Sequence, residues 1–220
     1  MSSRFLRYIP LASFLALSLP ACAQYHSAWT VTPSVSVISQ RADDPRIADA
    51  EEAVHFWNRT LEALGSGFRL GPVTRVVQPV SQSALHEFSG LVLAGRARPD
   101  NTPRELLQLP GNISLVLGDS AFISAAGPFV GQNKRLVLIR TATVPPLSLP
   151  NVTRNLIAHE LGHALGLGHN SDHKALMCGR PAECRPALFQ SEEPRFFPLL
   201  PAETDALLGL YPASWKPLTR

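Results

Sequence analysis

Residues 159–169 read His-Glu-Leu-Gly-His-Ala-Leu-Gly-Leu-Gly-His, the pattern HExxHxxGxxH with every defining position filled. No other feature of the chain constrains its fold as tightly. On a helix His159 and His163 stand at i and i+4, so both imidazoles leave one face a turn apart and can share a single tetrahedral cation. Gly166 allows the chain to leave the helix in a backbone conformation that a side chain would penalise, which returns His169 to the first two histidines. Three neutral imidazoles with a fourth position left to water form the donor set of a catalytic rather than a structural zinc site, so one Zn2+ is the expected cofactor. Glu160, directly after the first ligand, is placed to take that water's proton as general base. An ordinary amphipathic helix with surface histidines is the plainer reading, and the number of fixed positions weighs against it.

These eleven residues are followed eight positions later by Met177, within Ala175-Leu176-Met177-Cys178-Gly179. Together the two segments resemble the metzincin clan of zinc endopeptidases, the second being similar to its Met-turn. The resemblance implies an α+β fold of the zincin type, with a twisted mixed sheet, long helices and an active-site helix that carries the metal. It implies a protein or peptide substrate, hydrolysed by a zinc-activated water with Glu160 as base. It also implies that Met177 lies beneath the imidazoles as a hydrophobic base, a role that differs little from that of a core methionine. The order of long helix, mixed sheet, zinc helix, Met-turn and closing helix is similar to the matrixin branch over about residues 44–211. Asn170 follows His169 where matrixins usually carry Ser. Gly179 stands two residues after Met177, where astacins and serralysins place Tyr, which leaves oxyanion stabilisation mainly to the zinc. The sequence shows no cysteine-switch segment and no His- and Asp-rich loops of the kind that bind structural zinc and calcium, so the catalytic metal alone is expected. A zinc-binding or lipid-anchored envelope protein without catalysis is the alternative function, and Glu160 argues against it.

The start of the chain points to export. Arg4 and Arg7 precede an apolar run over residues 9–19, too short to span a bilayer and shaped like the core of a signal peptide. Residues 1–23 are therefore expected to be a leader, and residues 24–220 a single catalytic domain. The junction reads two ways. Ala21-Cys22-Ala23 is a cleavage site that releases a soluble secreted or periplasmic protein, whereas Leu19-Pro20-Ala21-Cys22 resembles a bacterial lipobox, with Cys22 lipidated and the protein anchored in the outer membrane. Under either reading Cys178 and Cys184 remain as an even pair, free to form a disulfide in an oxidising compartment. That bridge would close a short loop after the Met-turn and add about 2 kcal/mol. Left as a thiolate, Cys178 stands close enough to the zinc ligands to compete for the metal.

Of 20 Lys and Arg, loss of Arg4 and Arg7 leaves 18 against 17 Asp and Glu. So balanced a charge gives no footprint for nucleic acid. Membrane contact is expected only through a lipid on Cys22, and a monomer is expected.

Apolar periodicity predicts a first strand within residues 25–40 and a long helix over 44–64, with Asp43 or Asp44 as cap and Pro45 at its first position. It predicts strands over 68–77, 90–94, 113–117, 122–124 and 135–140, and a short helix over 103–109. Three prolines keep residues 141–150 extended. The zinc helix follows over about 151–165 with Asn151 as N-cap, and residues 200–211 form a closing helix. Asp172 reads either as a carboxylate that orients a ligand histidine or as a solvated loop acid. His173 falls outside the metal motif, and Phe196 with Phe197 reads as a core-filling pair.

Overall fold

Near-continuous apolar strands set the architecture, because a strand buried at every position must be covered on both faces. In the computed structural model, which describes residues 27–131, 133–179, 191 and 193–218, the elements run β1 (Val35–Ser39), α1 (Arg46–Ala63), β2 (Val73–Val77), α2 (Gln82–Leu93), α3 (Arg104–Leu107), β3 (Ile113–Leu117), β4 (Ala125–Phe129), β5 (Arg135–Ile139), α4 (Pro150–Leu165) and α5 (Pro201–Leu210). The expected leader with Cys22, and Cys184, lie outside the described residues. Among the described residues no helix is long and apolar enough to cross a membrane.

The strands form one mixed sheet in the order β2-β1-β3-β5-β4, parallel except for the edge strand β4, which runs antiparallel to β5. β1, β3 and β5 are buried along their whole length. Side chains alternate between faces with the two-residue strand period. Val35, Val37, Ile113, Leu115, Leu117, Val137 and Ile139 point to one core, shared with α1, α4 and α5. Ile38, Val116, Leu136 and Leu138 point to the other, closed by α2 and α3. The result is the mixed α/β fold expected from the sequence.

α1 and α4 pack on each other and hold the first face. Trp57 Nε1 of α1 donates to the Ala158 carbonyl of α4 at 2.9 Å. Arg154 of α4 reaches back to Glu52 at 2.6 Å and to Asp49 at 3.6 Å. Burial pushes the Asp49 carboxyl up to about 6, against the lowering effect of Arg154. At the start of α1, burial alone would raise Asp44, yet hydrogen bonds and charge from Arg46 hold it below the ordinary carboxylate range. Arg46 also donates to the carbonyls of Gly118 and Arg140, which pins α1 to the ends of β3 and β5.

Three expected elements fall elsewhere. Residues 90–93 belong to α2, with Ala94 its C-cap; its N-cap Ser81 accepts from the Ala84 amide, and Ala84, Leu85 and Phe88 form the buried stripe. A short apolar run has no period of its own, and the cap upstream decided it. The edge strand is residues 125–129, not 122–124; Gly127 and Pro128 disguise it, and only an edge with a bulge between Ala126 and Phe129 tolerates that proline. Only the last half of the 68–77 segment is strand, although Phe68 and Leu70 are buried in the core.

Candidate metal centre

The centre begins with α4. Its N-cap is Leu149 rather than Asn151, and the helix opens on Pro150 at a position whose N–H has no helical partner to lose. Asn151 is fully buried inside the first turn, where its amide donates to the Glu193 carbonyl at 2.7 Å and its Oδ1 accepts from the Arg195 amide at 3.0 Å. Asn155, one turn on, donates to the Arg195 carbonyl and accepts from the Phe197 amide. Residues 193–197 are thus laced along the helix, with Phe197 buried and Phe196 stacked on Phe56.

α4 ends at Gly166, in the left-handed region at φ +106°. The amides of Gly166 and Leu167 turn back onto the Gly162 carbonyl, closing the helix in the manner that favours glycine there. The next three carbonyls receive buried side chains from distant parts of the chain. Arg135 donates to His163 O at 2.9 Å, Trp29 to Ala164 O at 2.8 Å and the Tyr211 hydroxyl to Leu165 O at 2.8 Å. Burial pushes the Tyr211 hydroxyl up to about 12 and the Arg135 guanidinium down to about 10, so both stay protonated donors at neutral pH.

Beyond this turn His169 comes back to the helix. The three Nε2 atoms of His159, His163 and His169 lie 3.0–3.2 Å apart. Two of the rings have their tautomer fixed by backbone. His159 Nδ1 donates to Leu176 O and His163 Nδ1 to Leu167 O, both at 2.8 Å. A carbonyl can only accept, so each Nδ1 carries the proton and each Nε2 presents a lone pair to the other, 3.0 Å away. Facing lone pairs call for a cation between them. A tetrahedral zinc with Zn–N distances of about 2.0–2.1 Å separates its donors by about 3.3 Å, close to what the side chains already offer. The residues fit the metal. Backbone carbonyls, not Asp172, orient these ligands; Asp172 and His173 are exposed, and Asp172 accepts from the Lys174 amide. Among the described residues this is the group whose donors converge as a metal site requires.

His159 is 8% exposed, His163 half-buried and His169 exposed, so the centre opens to solvent on one side. Glu160, beside the first ligand, is 5% exposed. Met177 is fully buried against the helix turn that carries both helical ligands: a Cβ on Gly162 would lie 2.5 Å from its Sδ and 2.9 Å from Trp57 Cζ2. Gly162→Ala is accordingly expected to cost about 1–3 kcal/mol by overpacking, read as a lower midpoint in urea. An unchanged midpoint would mean that Met177 repacks without cost. Cys178, also buried, lies in the bridge that pairs this turn with Asn170. The disulfide expected between Cys178 and Cys184 involves a residue outside the described ones.

Asn170 joins this turn to α5. Its amide donates to Met177 O and its carbonyl accepts from Gly179 N, both at 2.9 Å. Its Nδ2 donates to Glu203 Oε1 at 2.5 Å, while Glu203 Oε2 accepts from the Leu200 amide at 2.7 Å. Burial raises the Glu203 carboxyl above its usual range, Leu200 and Asn170 pull it back, and the charge of Asp172 raises it further. None of Trp29, Arg135, Asn170, Glu203 and Tyr211 stands out by spacing. The signal available in the sequence was an arginine opening the otherwise apolar strand Arg135-Leu136-Val137-Leu138-Ile139.

A family model described as matrixin matches residues 147–187, the stretch that holds α4, all three histidines and Met177. No curated protein matches the chain. Among solved structures the fold is similar to archaemetzincin from Methanopyrus kandleri, with 17% identity over 84% of this chain and 95% of that one and a TM-score of 0.41. The matrixin match and the histidine geometry define a zinc-metallopeptidase-like centre whose cofactor is Zn2+.

Proposed function

We propose that this chain is an exported, matrixin-like zinc endopeptidase of the metzincin type. The observation that carries the reading is the convergence of three imidazole Nε2 atoms at 3.0–3.2 Å, on the open side of a helix that also bears Glu160. His159, His163 and His169 would hold the metal. Zinc, when bound there, supplies Lewis acidity to a water and to the peptide carbonyl. Glu160 accepts a proton as the water oxygen adds to the carbonyl carbon, and returns it to the amide nitrogen as the C–N bond breaks. β4, at the sheet edge nearest α4, offers an extended peptide a strand to pair with. Export rests on the basic and apolar leader over residues 1–23, and the mass of the mature N-terminus separates cleavage after Ala23 from lipidation of Cys22.

The test is hydrolysis of a diverse peptide library by the zinc-loaded protein. Cleavage is expected to disappear on chelation and to return when zinc is restored. Zinc-replete protein that cleaves nothing would overturn the proposal in favour of a zinc-binding role.

A further inference from the structure

We propose that Glu203 is a positioning residue for the third zinc ligand, holding the His169 segment in place through Asn170 and so tying α5 to the metal affinity of the centre. The inference rests on the reading of His169 as a ligand. The other two ligands are placed by a helix. His159 and His163 sit on a regular helix, with their Nδ1 atoms fixed by Leu176 O and Leu167 O. His169 stands instead on irregular chain beyond Gly166, and the backbone bonds of Asn170, the next residue, help to fix where it lies.

That neighbour is a junction. Asn170 uses its amide and carbonyl on Met177 and Gly179, its Oδ1 on the Asp172 amide at 2.8 Å, and its Nδ2 on Glu203. The Asp172 contact sets the amide orientation, so Nδ2 is the end that faces the carboxylate. Glu203 is 7% exposed and cannot swing out to solvent without leaving the Leu200 amide as well. A carboxylate in this position is the acceptor of a charge-assisted bond, shorter and stronger than one between neutral groups. The pair also gives a role to Asn170, where the matrixin resemblance leads one to expect Ser: its amide reaches across to α5.

Outer partners of metal ligands commonly alter metal affinity by about 10–100-fold when removed. Zinc dissociation constants from chelator competition, with the visible spectrum of the cobalt-loaded protein, read this directly; urea unfolding of metal-free protein reads stability separately. Glu203→Gln keeps the shape but offers one acceptor where two donors wait. It is expected to weaken zinc binding by about 10–100-fold. Asn170→Asp, which sets two carboxylates face to face, is expected to do the same. The double variant N170D/E203Q exchanges donor and acceptor. The amide introduced at 203 donates to the carboxylate introduced at 170, its carbonyl still serves Leu200, and affinity is expected to recover.

Single variants that bind zinc as tightly as wild type while unfolding earlier would show Glu203 to be a helix cap and nothing more, overturning the proposal. So would a folded double variant that binds no better than the singles. Wild-type protein that holds no zinc would instead overturn the reading of the centre, and this proposal with it.

Discussion

Glu160→Gln is expected to lower peptide hydrolysis by about 10²–10⁴-fold while zinc content stays that of the wild type. The substitution keeps the size and most of the hydrogen-bonding shape of the side chain but removes its capacity to take up a proton at neutral pH. The loss should fall on kcat, because in the proposed mechanism Glu160 acts on the water and the leaving nitrogen and not on the residues that recognise substrate. Its place supports that division of labour. Glu160 follows His159 on α4, so it leaves the helix about 100° away from the ligand and sits beside the metal position without being one of the converging donors. The measurements are kcat and KM on one cleaved peptide, with metal content determined on the same samples. Hydrolysis that survives in the zinc-replete variant would assign the proton to another group. Loss of zinc together with activity would make Glu160 a structural support of the site.

The converging histidines were legible because they are local. Eleven residues contain all three histidines, the helical period fixes two of them, and Gly166 fixes where the third turns back. The same holds for α1, α4, α5, β3 and β5, each carrying its period or a sufficiently long apolar run. Elements without a period of their own were harder. The run at residues 90–94 reads as strand until Ser81 is recognised as the cap of a helix that ends there. β4 holds Gly127 and Pro128, poor strand formers that survive because an edge strand needs half its backbone groups paired.

What supports the ligands was illegible for a different reason. The groups that orient His159 and His163 are carbonyls of Leu176 and Leu167, and every residue has a carbonyl. The partners of the α4 carbonyls come from positions 29, 135 and 211, brought together only by the finished fold. No spacing rule links them. A buried polar group in the sequence states a need for partners without naming them. Arg135 states that need most plainly.

Arg135→Ala is expected to destabilise the protein by about 3–5 kcal/mol. The guanidinium is fully buried at the first position of β5, donating to His163 O at 2.9 Å and to Ser27 O at 2.7 Å while its Nε makes no hydrogen bond. Among the described residues no carboxylate pairs with it. Its charge is met in two other ways. The carbonyl it binds is at the negative end of the α4 dipole, and its carbon lies 4.0 Å from the centre of the Phe129 ring. Truncation would take the side-chain donor from Ser27 O and from His163 O, leaving the latter with the Gly166 amide at 3.0 Å, and would open a cavity lined by Phe129 and Trp29. Arg135→Lys tests the geometry apart from the charge. A single ammonium can keep the dipole contact but cannot span both carbonyls and lie flat on Phe129, so the loss should fall between wild type and alanine. Urea unfolding gives both values. Losses under about 1 kcal/mol for alanine would mean that the Gly166 amide and water suffice for His163 O, and that among these side chains Trp29 and Tyr211 hold the C-terminal end of the zinc helix.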